Sequence, residues 1–499
     1  MYKTTLNILI TFILLNILLS NLNGSSCIMD NSRDINRNQF TYHETIQSEN
    51  FVVHFTTSDV DSQLVNGNWL NLQCNEGYAQ SVLDHAESAL TVFLQQGWEN
   101  LPLDCDESIT DLDSPYHCIN FGGNSLYDIY LSNDGVGMVV PENPYPVDPY
   151  IGGYTSYMKI STLLNQHETL PSWNFHVIAH ELHHSIQLRY GYSVSGQPGN
   201  YMHNGWLFEQ TATYMEDVIY PDSVHLLTML GNCNVVTPLT FPHYNIDYPA
   251  EIYPYRSALW QKFLVESIGD PSIIRYIWEN YGINYATGEP VSLFPIYNNA
   301  IQYVTDGDIN LSDAYNEYAI WRYFTGNRSI PGQYFNQSSS YCETLTISDF
   351  EGDFIISSNK GAAHFVELPN NVDLVISADY PENIQLSHLK IDSGNNVEVS
   401  EVTISDNFAY ISTALDTENI MVIASKYNDI VSDDINFSIS INQSDVMGDL
   451  NGDSLVNVQD VVLAVDLALI EDYNESVDFN LDYSIDILDI VFLINIVLS

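Results

Sequence analysis

The stretch His180-Glu181-Leu182-His183-His184 places two imidazoles four residues apart in a segment that reads as a helix. At that spacing His180 and His184 stand one turn apart on one helical face, where both can bind a single metal ion. Glu181, beside the first histidine, can then reach a metal-held water as general base. A third ligand comes from Trp206-Leu207-Phe208-Glu209-Gln210-Thr211-Ala212-Thr213-Tyr214-Met215-Glu216, which reads as a second helix. Glu209 is the best candidate, because two neutral imidazoles and a carboxylate are the donor set of a hydrolytic zinc site that keeps a fourth position for water. Glu216 follows two turns later on the same face and suits a supporting role, accepting the free N–H of a ligand histidine and so holding its ring. One catalytic zinc ion is expected. His176 extends the ladder, but His176 and His184 would lie ~12 Å apart along the axis, too far for one ion. His176 is therefore read as a packed or supporting residue. His183 points off the 180/184 face and reads as a surface residue, while His203 and His225 stay open candidates.

These side chains need a scaffold. Residues 51–55 read as a strand, and residues 78–96 carry Val82, Ala86, Ala89, Leu90 and Phe93 on one helical face before Gly97. Residues 127–131 and 157–160 read as further strands, with a Gly/Pro-rich loop over 135–153 between them. Ser172 is an N-cap candidate for the motif helix, which runs to about Tyr190 before Gly191. Helices follow over 257–267, 271–281 and 311–324. Strands first, then helices, with the motif at the junction, make an α+β catalytic domain over residues 51–330.

The 499-residue chain is too long for one ordinary core, so a multidomain protein is expected. With 13 Lys+Arg against 64 Asp+Glu and a formal net charge of −51, its surface repels nucleic acid and anionic lipid. Lys3, an apolar run over 6–19 and the small residues Gly24, Ser25 and Ser26 have the layout of a secretory signal peptide, residues 1–26. The run is short for a membrane span, so a secreted, soluble mature protein is expected. Lipoprotein anchoring at Cys27 is the alternative, with Gly24 standing where a leucine is usual. Residues 27–50 are polar and period-free, a flexible lead-in or short propeptide. Cys74, Cys105, Cys118, Cys233 and Cys342 show no C-x-x-C spacing, which argues against a cysteine zinc site. Export permits disulfides, and Cys105 with Cys118 is the pair most easily closed.

Beyond the catalytic region the period switches. Ile435, Phe437, Ile439 and Ile441 alternate, and short apolar runs at 354–356, 365–368, 374–376, 397–404 and 421–423 fit a β-sandwich accessory domain over 338–443. It carries no chemical constellation and reads as a spacer. Residues 445–499 hold a repeat: the twelve residues from Asp449 to Asp460 recur from Asp478 to Asp489. Side-chain oxygens fall at positions 1, 3, 5, 9 and 12, namely Asp449, Asn451, Asp453, Asn457 and Asp460, then Asp478, Asn480, Asp482, Asp486 and Asp489. The carbonyls of Leu455 and Ser484 supply position 7, so each loop can surround one Ca²⁺ with hard oxygens. Two Ca²⁺ ions are expected, each loop being followed by an apolar helix, over 461–470 and 490–498.

The H-E-x-x-H helix followed by W-x-x-E-x-x-A-x-x-x-E resembles the gluzincin metallopeptidases over about residues 51–326. The resemblance implies a zincin-like fold, zinc held by His180, His184 and Glu209, Glu181 as the base, and a protein or peptide substrate. It also implies a tyrosine that stabilises the oxyanion, and Tyr255, ahead of the helix over 257–267, is the match. No G-x-M-E-N amine-binding motif is present, and Gly137-Met138-Val139-Val140-Pro141-Glu142-Asn143 only echoes one, which tilts the reading from aminopeptidase to endopeptidase. The terminal repeat resembles a type I dockerin, a small α module, and implies a cohesin-like scaffold as partner. It departs from the family at position 6, where Ser454 and Tyr483 replace glycine. It departs again at positions 10 and 11, where Val458-Gln459 and Ile487-Leu488 replace small hydroxyl residues. The leading expectation is a secreted zinc metalloendopeptidase. An aminopeptidase, or a scaffold or adhesion protein with a vestigial metal site, are the competing readings.

Overall fold

The structure is a computed structural model that describes residues 36–65, 67–105, 107–113, 117–133, 135–164, 171–192, 205–222, 224–249, 252–285, 292–348, 352–356, 360–378, 380–405, 407–427, 435–441, 447–451, 456–470, 472–480 and 482–498. The chain divides into two compact units, one running to Thr344 apart from two short segments, the other consisting of those segments and Leu345–Ser499. Both sheets and helices are present, and the chain is a mixed α/β protein of more than one unit.

The first unit is built on strands β1 (Glu44–Gln47), β2 (Phe51–Phe55), β3 (Ser62–Val65), β4 (Asn68–Asn71), β5 (Tyr127–Ser132), β6 (Gly137–Pro144) and β7 (Tyr154–Ser161). Five of them form one sheet in the order β1-β2-β5-β7-β6, while β3 and β4 make a separate hairpin. The central pairs β2–β5 and β5–β7 are parallel, and the outer strands β1 and β6 run antiparallel to their neighbours. Every residue of β2 and β5 is buried, as expected for parallel strands covered on both faces.

Two expectations give way here. The stretch 135–153 is not all loop, since Gly137–Pro144 forms β6. Pro141 and Pro144 disguise it; proline cannot complete a ladder on both sides, and it is tolerated because β6 is the edge of the sheet. Nor is the lead-in flexible from residue 36 onward. Glu44–Gln47 pairs with β2, and Arg37 is drawn into an acidic pocket. Its guanidinium donates to Glu142 through Nε (2.9 Å) and Nη2 (2.6 Å), to Asp104 (3.0 Å) and to Asp128. Removing one partner of such a buried pair costs roughly 3–5 kcal/mol, enough to fasten the segment.

The helices of this unit are α1 (Glu76–Gln95), α2 (Pro171–Tyr190), α3 (Gly205–Ile219), α4 (His225–Leu230), α5 (Tyr253–Arg256), α6 (Leu259–Ile268), α7 (Ser272–Tyr285) and α8 (Leu293–Val304), with both ends of α9 (Leu311–Tyr323), whose residues Tyr315–Ile320 are counted with the second unit. Asn75 caps α1 by accepting from the Tyr78 N–H, and the apolar stripe read from the sequence is its buried face. α8 was hidden by Pro295, which lies in the first turn, where a missing N–H costs nothing. α2 packs on β6 and β7 on one side and on α1, α3 and α7 on others, so it is enclosed rather than amphipathic. That enclosure overturns the surface reading of His183, which is fully buried, with its ring meeting Trp98 edge-on at 4.9 Å. Two disulfides occur among the described residues: the expected Cys105–Cys118, and Cys233–Cys342, which closes a 109-residue separation. A loop that long constrains the unfolded chain by about 4–5 kcal/mol.

The second unit holds two four-stranded antiparallel sheets. Their strands are β8 (Gly352–Ile356), β9 (Ala363–Leu368), β10 (Asp373–Ala378), β11 (Ile384–Ile391), β12 (Val397–Val402), β13 (Phe408–Ser412), β14 (Glu418–Ser425) and β15 (Ile435–Ile441), in orders β13-β10-β15-β8 and β12-β11-β14-β9. Leu374, Ile376 and Ile411 of one sheet meet Leu386, Met421 and Ile423 of the other in one core. The period of two then turns Val375 and its cross-strand partner Tyr410 to the opposite face. There they join Phe479, Ile490, Phe492 and Leu493 of the terminal repeat, whose helices are α10 (Val458–Ile470) and α11 (Ile487–Leu498). The repeat therefore shares its core with the sandwich, and the sequence alone did not show that.

In the second loop Tyr483 has φ 64°, the left-handed backbone that position 6 requires. Asp489 accepts from the N–H groups of Phe479 (2.8 Å) and Asp486 (2.9 Å), and Asp460 does the same with Leu450 (2.9 Å) and Asn457 (2.9 Å). Asp453, Ser454 and Leu455 lie outside the described residues. Burial pushes the Asp489 carboxyl up, and the neighbouring Asp478 adds to the shift. A cation between such acids relieves that repulsion. Excess chelator is expected to expose 447–498 of the full chain to limited proteolysis, and millimolar calcium to protect it. Identical digestion patterns would rule out a calcium-ordered repeat.

Candidate metal centre

α2 and α3 bring the predicted residues together. The Nε2 atoms of His180 and His184 lie 3.1 Å apart, and Glu209 Oε2 is 3.2 Å from the first and 3.4 Å from the second. Ligand atoms of a tetrahedral zinc ion with bonds of about 2.0–2.1 Å stand about 3.3–3.4 Å apart. The three edges of this trigon fit that value. All three side chains are buried.

The far side of each imidazole is also occupied. His180 Nδ1 is 2.7 Å from Glu216 Oε1, the role read for Glu216, and His184 Nδ1 is 2.7 Å from Gln187 Oε1. With an oxygen acceptor at each Nδ1, the proton sits there and Nε2 keeps its lone pair for a metal. The amide of Gln187 is oriented in turn, because its Nε2 donates to the Phe208 carbonyl (3.0 Å) and to Thr211 Oγ1 (2.6 Å), and meets His183 Nδ1 at 2.9 Å. Sequence reasoning missed Gln187. Its signal was local, three residues after His184 on the same helix. Gln187→Ala is expected to weaken zinc affinity about 10–100-fold with the ligands intact, measurable by competition with a chromophoric chelator. Unchanged affinity would show that the amide does not orient His184.

Burial pushes the Glu209 carboxyl up, but the His184 and His180 rings, when they carry a second proton on Nε2, outweigh it and hold the group well below the usual carboxylate range. Glu216 is also held low, against the same burial, by His225, His176 and His180. Both remain anionic at neutral pH. His225 Nδ1 lies 2.5 Å from Glu216 Oε2, and His176 Nε2 lies 3.7 Å from the same oxygen. His203 lies outside the described residues.

Glu181 follows His180 on α2 and packs against β6. A Cβ on Gly137 would come within 2.6 Å of Glu181 Cγ and 2.7 Å of its Oε1, so the close approach requires glycine. The Tyr255 ring lies parallel to that of His180, with centroids 5.6 Å apart and an 11° interplanar angle. Gln210 of α3 donates to Ser257 Oγ (2.8 Å) and ties the segment after Tyr255 to the helix that carries Glu209.

A family described as a family of unknown function (DUF6055) matches residues 152–294, a span that contains α2, α3, Tyr255 and every residue of the trigon. A comparison with curated proteins returns no match. Among the described residues no helix is long and apolar enough to cross a membrane.

Proposed function

We propose that the chain is a secreted zinc metalloendopeptidase of the gluzincin type, with a zincin-like catalytic domain and a dockerin-like calcium module. The observation that carries this reading is the His180–His184–Glu209 trigon, with edges of 3.1–3.4 Å, and Glu181 follows His180 on α2. When bound there, zinc acts as a Lewis acid toward a carbonyl and lowers the pKa of a water. Glu181 takes the proton of the attacking water and returns it to the nitrogen of the leaving amine. The Tyr255 hydroxyl is a donor for the oxyanion.

The edge strand supports cleavage within a chain. β6 has one strand neighbour among the described residues, and its Gly137 end lies against Glu181. An extended peptide adding to that edge gains backbone hydrogen bonds and passes a carbonyl beside the base. Glu142, the glutamate in the echo of an amine-binding motif, is already held by both Nε and Nη2 of Arg37. That engagement disfavours recognition of a substrate N-terminus. The two disulfides fit an oxidising compartment. Val458, Ile487 and Leu488 are exposed where α10 and α11 begin, so a cohesin-like scaffold would meet apolar residues there in place of the family's small hydroxyls.

The test is hydrolysis of casein and of an N-terminally blocked peptide by the zinc-loaded protein in millimolar calcium. Internal cleavage abolished by a zinc-selective chelator is expected. A zinc-loaded protein that cuts neither substrate would reject the endopeptidase reading.

A further inference from the structure

His176, Glu216 and His225 form a second convergent group, with one donor atom from each lying within 4.8 Å of the others. The three come from different helices: His176 lies one turn before His180 on α2, Glu216 is on α3, and His225 opens α4. His176 and Glu216 are buried, and His225 is about a fifth exposed.

The hydrogen-bond geometry leaves this group unevenly served. Glu216 Oε1 is engaged by His180 Nδ1 at 2.7 Å. Its Oε2 faces two imidazoles at once and lies within hydrogen-bond reach of His225 (2.5 Å) but not of His176 (3.7 Å). The two rings stack at 4.2 Å with a 27° interplanar angle, which brings both nitrogens to the same oxygen. Two imidazole nitrogens and one carboxylate oxygen are donors that zinc and its first-row neighbours accept readily.

We propose that His176, Glu216 and His225 bind a second divalent transition-metal ion, zinc by preference, separate from the ion of the His180–His184–Glu209 trigon. Tetrahedral bonds of about 2.0–2.1 Å set ligand atoms about 3.3 Å apart. Loading therefore moves the His225 nitrogen away from Glu216 Oε2 and the His176 nitrogen toward it. His225 is free to make the larger shift, since it stands at the start of a six-residue helix and is the most exposed of the three. The two sites are joined through one carboxylate, because Glu216 ligates the second ion through Oε2 while Oε1 accepts from His180. The second ion thus fixes the acceptor that orients a ligand of the first. The site stands on its own residues and does not depend on peptidase activity.

The experiment counts zinc in the full-length protein, stripped of metal and then dialysed in millimolar calcium. Free zinc is buffered with a chelator so that the surface carboxylates stay empty. Two equivalents are expected for the parent, one for His225→Ala, one for His184→Ala and none for the double variant. Near-UV circular dichroism confirms that each variant is folded, and His176→Gln repeats the test from another helix, again with one equivalent expected. Cobalt substitution adds a spectrum, with His225→Ala removing one set of d–d bands and His184→Ala the other. A folded parent whose single equivalent survives His225→Ala, or a His225→Ala variant that keeps two, overturns the proposal. If His184→Ala keeps two equivalents, the trigon reading fails instead.

Discussion

Glu181→Gln is expected to lose peptide hydrolysis by about 10²–10⁴-fold while keeping its zinc and its fold. Glutamine has the shape of glutamate, so the contact with Gly137 on β6 survives and α2 keeps its packing. Glu181 does not belong to the trigon of donor atoms, which is made by His180, His184 and Glu209. The substitution removes only the capacity to accept a proton, because an amide oxygen is far too weak a base at neutral pH. The loss should fall on kcat, with KM little changed, since the side chain acts on the water rather than on substrate binding. Zinc content measured beside the kinetics separates this outcome from loss of metal. A variant that hydrolyses peptides at the parent rate would falsify the assignment of Glu181 as base.

The second large effect is expected from His184→Ala, which removes one corner of the trigon. The remaining pair, His180 and Glu209, offers two donors where a stable zinc site needs at least three from the protein. The cost should exceed the ~10–100-fold expected when a residue behind a ligand is changed. Stoichiometric zinc at this site and all hydrolysis should disappear together. The substitution also leaves the buried Gln187 Oε1 without its 2.7 Å partner, so some loss of thermal stability accompanies the loss of metal. Full zinc retention and parental activity in the folded variant would remove His184 from the ligand set.

What the sequence determined by itself is what repeats locally. The 180/184 spacing defines one helical face without reference to the rest of the chain, and Glu209 and Glu216, seven residues apart, share a face for the same reason. The structure brings these two faces together as read. The terminal repeat was legible because its oxygen-bearing side chains recur at one spacing in two twelve-residue stretches. Alternation marked β15, and short apolar runs marked β8, β9, β10, β12 and β14, whereas β11 and β13 were missed.

The tertiary structure decided what depends on a partner far along the chain. His183 looked like a surface residue because the helix was read with one buried face, whereas α2 is enclosed by the sheet and three helices. β6 looked like loop because its prolines break a strand pattern, and only its place at the sheet edge makes them tolerable. Arg37 reaches acids more than sixty residues away, and Cys233 pairs across 109 residues; no local pattern encodes either contact. Tyr410 and Val375 alternate with core residues like any strand side chains, yet they complete the core of the terminal repeat. The physical reason is common to all of them. Backbone geometry sets which residues share a face, but only the packed neighbour decides whether that face is buried, paired or open to solvent.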